Sequence, residues 1–165
     1  MAEEEELRRH RCCFTGHRPE KLRMSEAEAA TVLEREIRRS IAEGYTTYIT
    51  GMARGVDIAA AEIVLRLRDE HPALRLICAL PHEDFEKRWS ASWQERFRIV
   101  LRGADLVRLI SKDYSSGAYQ IRNVWMVDHS ARVIAVYNGT PGGTRNTIEY
   151  ARQQKVEVVT IHDQQ

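Results

Sequence analysis

Six short apolar runs that alternate with longer amphipathic segments leave this chain few folds to choose from. The runs cover residues 12–15, 46–50, 74–80, 104–110, 132–137 and 156–161. They are rich in Val, Ile, Leu and Thr and are bounded by Gly, Pro or Asn, so they read as buried strands. The intervening segments carry helical signals. Ser25 and Glu28 form a capping box, Ala30, Leu33, Ile37 and Ile41 make one apolar stripe, and Gly44 stops it. Asp57 is placed to cap a second helix bearing Ala60, Ala61, Val64 and Leu65. Further helices are expected over about 86–101, 119–129 and 144–153. Strand–helix alternation of this kind predicts an α/β fold: right-handed crossovers and a mainly parallel sheet with helices on both faces.

The 165 residues suit one domain, expected over 11–165. Ahead of it, residues 1–10 hold a run from Glu3 to Glu6 and then Arg8 and Arg9, which reads as a frayed, solvated end. Lys plus Arg number 25 and Asp plus Glu 24, so the chain is no broad polycation and any anion site must be local. Apolar stretches such as residues 76–81 are too short to span a bilayer. Cys12, Cys13 and Cys78 match neither a disulfide framework nor a zinc spacing, so no metal is expected and a cytoplasmic location is.

Parallel sheets take ligands beyond the carboxyl ends of their strands, near a switch point. Three of the expected strand ends carry glycine. The first is Phe14-Thr15-Gly16-His17-Arg18-Pro19, where Arg18 offers a planar fork for phosphate and His17 can donate to an anion. The second is Thr50-Gly51-Met52-Ala53-Arg54-Gly55-Val56-Asp57, a turn at a helix N-terminus that fits neither a dinucleotide fingerprint nor a Walker A loop. The third, from Asn138 to Gly142-Gly143-Thr144, again enters a helix. Each alone also fits a plain turn; together they describe a phosphate-binding rim. Arg122 and Asn123 open an expected helix and face the same rim. Trp89, Trp93 and Phe97 recur at helical spacing, as core, dimer contact or a base-stacking wall.

These blocks resemble the YpsA family (DUF1273) of the SLOG superfamily. The similarity rests on residues 14–19 and 50–57, on Trp93-Gln94 with Arg96, on Ala104 to Val107, on Arg122 to Asp128 and on Val136 to Thr144. It implies a Rossmann-like, doubly wound domain with a nucleotide-derived ligand at the rim, acting as a sensor or processing domain. Gly16, His17, Arg18, Gly51, Arg54, Gly55, Asp57, Arg122, Asn123, Gly142, Gly143 and Thr144 are the expected binding residues. Residues 51–57 are also similar to the matching segment of DprA/Smf proteins, which implies single-stranded DNA as an alternative ligand. The segment from Pro141 to Glu149 is similar to the motif of LOG phosphoribohydrolases. That implies N-glycosidase action on a nucleoside monophosphate with Glu149 as the catalytic carboxylate, although Arg145 and Asn146 replace the motif's Gly-Thr pair. A homodimer through the Trp-bearing helix is a further expectation.

Overall fold

In a computed structural model of the chain, which describes residues 2–164, the six apolar runs become one parallel sheet. Its strands are β1 (Arg11–Gly16), β2 (Thr47–Thr50), β3 (Arg75–Leu80), β4 (Leu106–Leu109), β5 (Arg132–Tyr137) and β6 (Glu157–His162), in the spatial order β4-β3-β2-β1-β5-β6. Register aligns Gly16 of β1 with Val136 of β5, and Cys13 with Ile49 of β2, so the ends of the central strands lie close to level. The order reverses at β1, which makes the gap between β1 and β5 the switch point.

Six helices lie among the described residues: α1 (Ala2–Arg8), α2 (Glu26–Ala42), α3 (Val56–Leu67), α4 (Ala91–Gly103), α5 (Ala118–Asp128) and α6 (Gly143–Gln153). Strand side chains alternate between two cores. Cys12, Phe14, Tyr48, Leu76, Ile134 and Val136 pack with Leu33 and Ile37 of α2, Ile58 and Val64 of α3, and Phe97 and Val100 of α4. Cys13, Ile49, Ala79, Val133 and Ala135 pack with Met126 and Val127 of α5 and Ile148 and Ala151 of α6. A period of two along each strand thus clothes both faces. Each fully buried Phe, Ile or Leu contributes roughly 1.5–3 kcal/mol.

The capping box holds: Ser25 Oγ accepts from Glu28 N at 3.1 Å, and the Glu28 carboxylate accepts from Ser25 N. Elsewhere the elements differ from expectation. The segment read as a frayed end is the helix α1, none of whose residues is buried; Arg8 pairs with Glu5, and Arg11 of β1 pairs with Glu4. The helix expected from residue 86 begins at Ala91, because Asp84 takes a left-handed φ of 57° and Ser90 caps the helix, accepting from Trp93 N. The strand expected over 104–110 shortens to an exposed edge, since β4 pairs only with β3. Asp57 sits in the first turn of α3, whose N-cap is Gly55. All three cysteines are buried free thiols, and burial pushes Cys13 and Cys78 up to about 12. Among the described residues, no helix is long and apolar enough to cross a membrane and no cluster of His, Cys, Asp and Glu could hold a metal.

Candidate functional site

A cavity of about 530 Å³ opens over the carboxyl ends of the strands, within the size range of small-molecule sites. Gly16, His17, Arg18, Arg54, Asp57, Arg122, Asn123, Gly142, Gly143 and Thr144 all line it. Three turns and one helix, distant in sequence, therefore meet at the switch point.

The glycines fall into two kinds. A Cβ on Gly16 would lie 2.5–2.7 Å from Val56, so Gly16 lets the start of α3 pack against the end of β1. A Cβ on Gly51 would fall 2.9 Å from both Arg122 Nε and Asp57 Oδ2. Gly55 has φ +92°, and its missing side chain clears the His17 carbonyl and Pro19. Gly51 and Gly55 do not line the cavity. They give clearance between elements, and the structure sets them back from the cavity wall on which the sequence had placed them. Gly142 and Gly143 have open space where a Cβ would be, and Gly142 caps α6 without a side-chain bond. The first amides of α6 thus face the cavity unscreened, at the positive end of the helix dipole.

His17 joins the two loops of the switch point. Its Nε2 accepts from Asn138 N–H at 3.0 Å, which leaves the ring proton on Nδ1, and its ring stacks on Tyr137. Burial pulls its pKa below the ordinary value, so the ring stays neutral near pH 7. Asn138 Nδ2 in turn donates to the Lys21 carbonyl at 3.1 Å. Asp163 accepts from Arg23 N and Met24 N, both at 2.8 Å, and fixes the far end of that turn.

Arg122 reaches under the end of β2. Its Nη1 donates to the Gly51 carbonyl at 2.7 Å and its Nε to Asn123 Oδ1 at 3.1 Å. Burial lowers its pKa and the nearby Asp57 raises it, burial being the larger effect. Asp57 is only 5% exposed. Its Oδ2 accepts from Ala53 N at 3.3 Å, while its Oδ1 has no hydrogen-bond partner among the described residues. Burial pushes its carboxyl up to about 6 against the pull of Arg122. Arg54 and Arg18 share the exposed Glu20, at 3.1 and 3.9 Å, so the two guanidinium groups hold each other's counterion.

The opposite wall is aromatic and largely escaped sequence reasoning. Phe85, Trp89, Tyr114 and Tyr119 line the cavity. Their rings meet edge to face, Phe85 with Trp89 at 5.2 Å and His82 with Tyr114 at 5.3 Å. The Trp stripe divides: Trp89 precedes α4 and joins this wall, whereas Trp93 lies under the Arg96 guanidinium at 4.2 Å, away from it. Phe85 and Tyr114 follow predicted strands, the one signal that could have found them.

Glu149 is not brought to the cavity. It sits in the second turn of α6, 54% exposed, paired with Arg145 at 3.1 Å. The helix carries this carboxylate outward, so the phosphoribohydrolase parallel loses its motif residue here.

An all-parallel Rossmann-like sheet with a cavity at its switch point, walled on one side by glycine-bearing turns, defines a SLOG-type protein. The family model described as "YspA SLOG family" matches residues 12–164, and the chain belongs to this YpsA family. It is 34% identical over 118 residues to the uncharacterized SPbeta prophage-derived protein YoqJ of Bacillus subtilis (strain 168), covering 64% of this chain and 69% of that one. It is 30% identical over 139 residues to a UPF0398 protein of Halalkalibacterium halodurans, covering 79% and 74%. The fold is similar to that of DNA processing protein A (DprA) from Streptococcus pneumoniae, with a TM-score of 0.65 at 17% identity over 93% of this chain and 50% of that one. DprA from Helicobacter pylori, whose structure describes a single-stranded DNA binding mode, gives 0.64 at 17%, over 97% and 68%. At that identity the likeness concerns the fold.

Proposed function

We propose that the switch-point cavity binds a small nucleotide-derived ligand and that the protein works as a sensor or processing domain for it. The observation that carries this reading is the unscreened N-terminus of α6, where Gly142, Gly143 and Thr144 border the same cavity as Arg18, Lys21 and the buried Arg122. Backbone amides at a helix start with cations beside them are an anion cradle. The aromatic wall offers a stacking surface for a base. A thermal-shift and calorimetry panel of nucleoside mono-, di- and triphosphates at millimolar concentration tests it. Stabilisation by at least one member is expected, and none by any member refutes it.

Single-stranded DNA is the second reading, favoured by the fold likeness to DprA. It requires a basic track and a steep salt dependence, whereas Glu20 already pairs with Arg54 and lies 3.9 Å from Arg18, and the chain's net charge is +1. A gel shift at low salt separates the two. We place the protein in a reducing cytoplasm, on its free buried thiols. We also propose that a dimer, where one forms, uses the edge strand β4, on which Leu106, Val107 and Leu109 are exposed. Light scattering reads the oligomeric state.

A further inference from the structure

Strand order dictates the order of chemistry along the cavity. Reading across the sheet edge, the turns after β4 and β3 supply Tyr114, Phe85 and Trp89. The turn after β2 leads to Asp57, the turn after β1 supplies Arg18, and the turn after β5 supplies the amides of α6. Aromatic, acidic and anion-binding groups thus succeed one another in one direction. Three strand spacings, about 14 Å, separate the end of β3 from that of β5. A nucleotide has the same sequence of parts: a flat base, a hydroxylated sugar, a phosphate.

We infer that the ligand lies along this edge with its base on Phe85 and Trp89 and its phosphate on α6, and that Asp57 reads the ribose hydroxyls between them. The inference rests on the nucleotide reading and deepens it to ribonucleotides as against deoxyribonucleotides. Asp57 is the one acidic side chain lining the cavity among the described residues. It is nine-tenths buried with an unpartnered oxygen, so a carboxylate there gains most from a ligand that donates to it. It also opposes a phosphate at the start of α3, which leaves α6, whose first turn carries no acidic residue, as the anion end. A sugar lacking the donor leaves the carboxylate unsatisfied, and such sites reject the lacking analogue strongly.

The test is titration calorimetry with AMP, GMP, CMP and UMP and their 2′-deoxy and 3′-deoxy counterparts, on the wild type, Asp57→Asn and Asp57→Ala. For the wild type, any ribonucleotide that binds should do so at least about tenfold more tightly than its weaker deoxy counterpart. In both variants that ratio should fall below about threefold, with deoxynucleotide binding retained; the two variants guard against a folding defect in either. Binding of ribo and deoxy forms with equal affinity overturns the assignment of Asp57 while leaving nucleotide binding intact. An absence of binding by every probe overturns both.

Discussion

Replacing Asp57 by Asn should stabilise the ligand-free protein at neutral pH, and the size of the effect follows from burial. The carboxyl's ordinary value is 3.8, and burial raises it to about 6 even after the attraction of Arg122 is counted. That difference corresponds to about 3 kcal/mol between the charged and neutral forms. Because the folded value is raised, the stability tied to the neutral carboxyl is fully present below 3.8 and is lost as pH rises to about 6. Above that, the wild type carries the whole cost of a buried charge. An amide never ionises, and its oxygen can still accept from Ala53 N–H as Oδ2 does now. The wild type and Asp57→Asn should therefore be equally stable near pH 4. They should diverge between pH 4 and pH 6 and run parallel above it, separated by about 3 kcal/mol at most. For a domain of this size that is a gain of about 6–12 °C in Tm at pH 7. Thermal and urea denaturation at several pH values read it directly. A difference of the same size at every pH, or a variant less stable at pH 7 than the wild type, would show that Asp57 carries no buried-charge cost. Stability gained by deleting a group that the ligand needs is the usual signature of a binding site.

Other substitutions probe the residues around this carboxylate and the rest of the strand-end rim. Gly16→Ala places a methyl within 2.7 Å of Val56 and should cost about 1–3 kcal/mol in chemical denaturation, with Val56→Ala in the same chain restoring part of the loss. Glu149→Gln removes only an exposed pair with Arg145; ligand affinity should be unchanged and stability should fall by a few tenths of a kcal/mol at most. Glu20→Gln frees Arg18 and Arg54 and should tighten binding of a phosphorylated ligand about two- to fivefold, an effect that salt should erode. Protonating His17 removes the acceptor for Asn138 N–H. Its folded value is lowered, so its contribution is present above the ordinary value of 6.5 and lost as pH falls below it. The protection of the Asn138 amide against exchange, relative to its intrinsic rate, should fall over that interval, and protection that stays constant would contradict the tie.

The alternation of apolar runs with amphipathic segments made the sheet and its two helical layers legible, because short continuous apolar strands between amphipathic helices have few other solutions. Strand order was not legible, and with it went the sequence of groups along the cavity. The roles of the glycines were hidden for a related reason. Gly16 and Gly51 look in the sequence like Gly142 and Gly143, yet the first pair is set by Val56, Arg122 and Asp57, partners contributed by separate elements. Phe85 and Tyr114 stand in irregular segments, where no periodicity marks a side chain as facing a cavity. Glu149 was assigned by motif likeness, and the helical turn that follows Gly143 directs it outward.

The packing glycines and the buried polar groups are one device. Removing the Cβ atoms at Gly16, Gly51 and Gly55 lets β1, β2 and α3 approach closely enough for Arg122 to thread from the opposite face of the sheet to the Gly51 carbonyl. That guanidinium then lies beside Asp57, and the buried Met52 that follows Gly51 is itself held at φ 63°. A left-handed non-glycine residue and a carboxyl oxygen without a partner are both unfavourable for folding. Their coincidence at one strand end, over a cavity, marks the place where this fold departs from its own optimum. A plain turn would need neither. The departure is accounted for if the carboxylate and guanidinium must stay dry and fixed until a hydroxylated, phosphorylated molecule meets them.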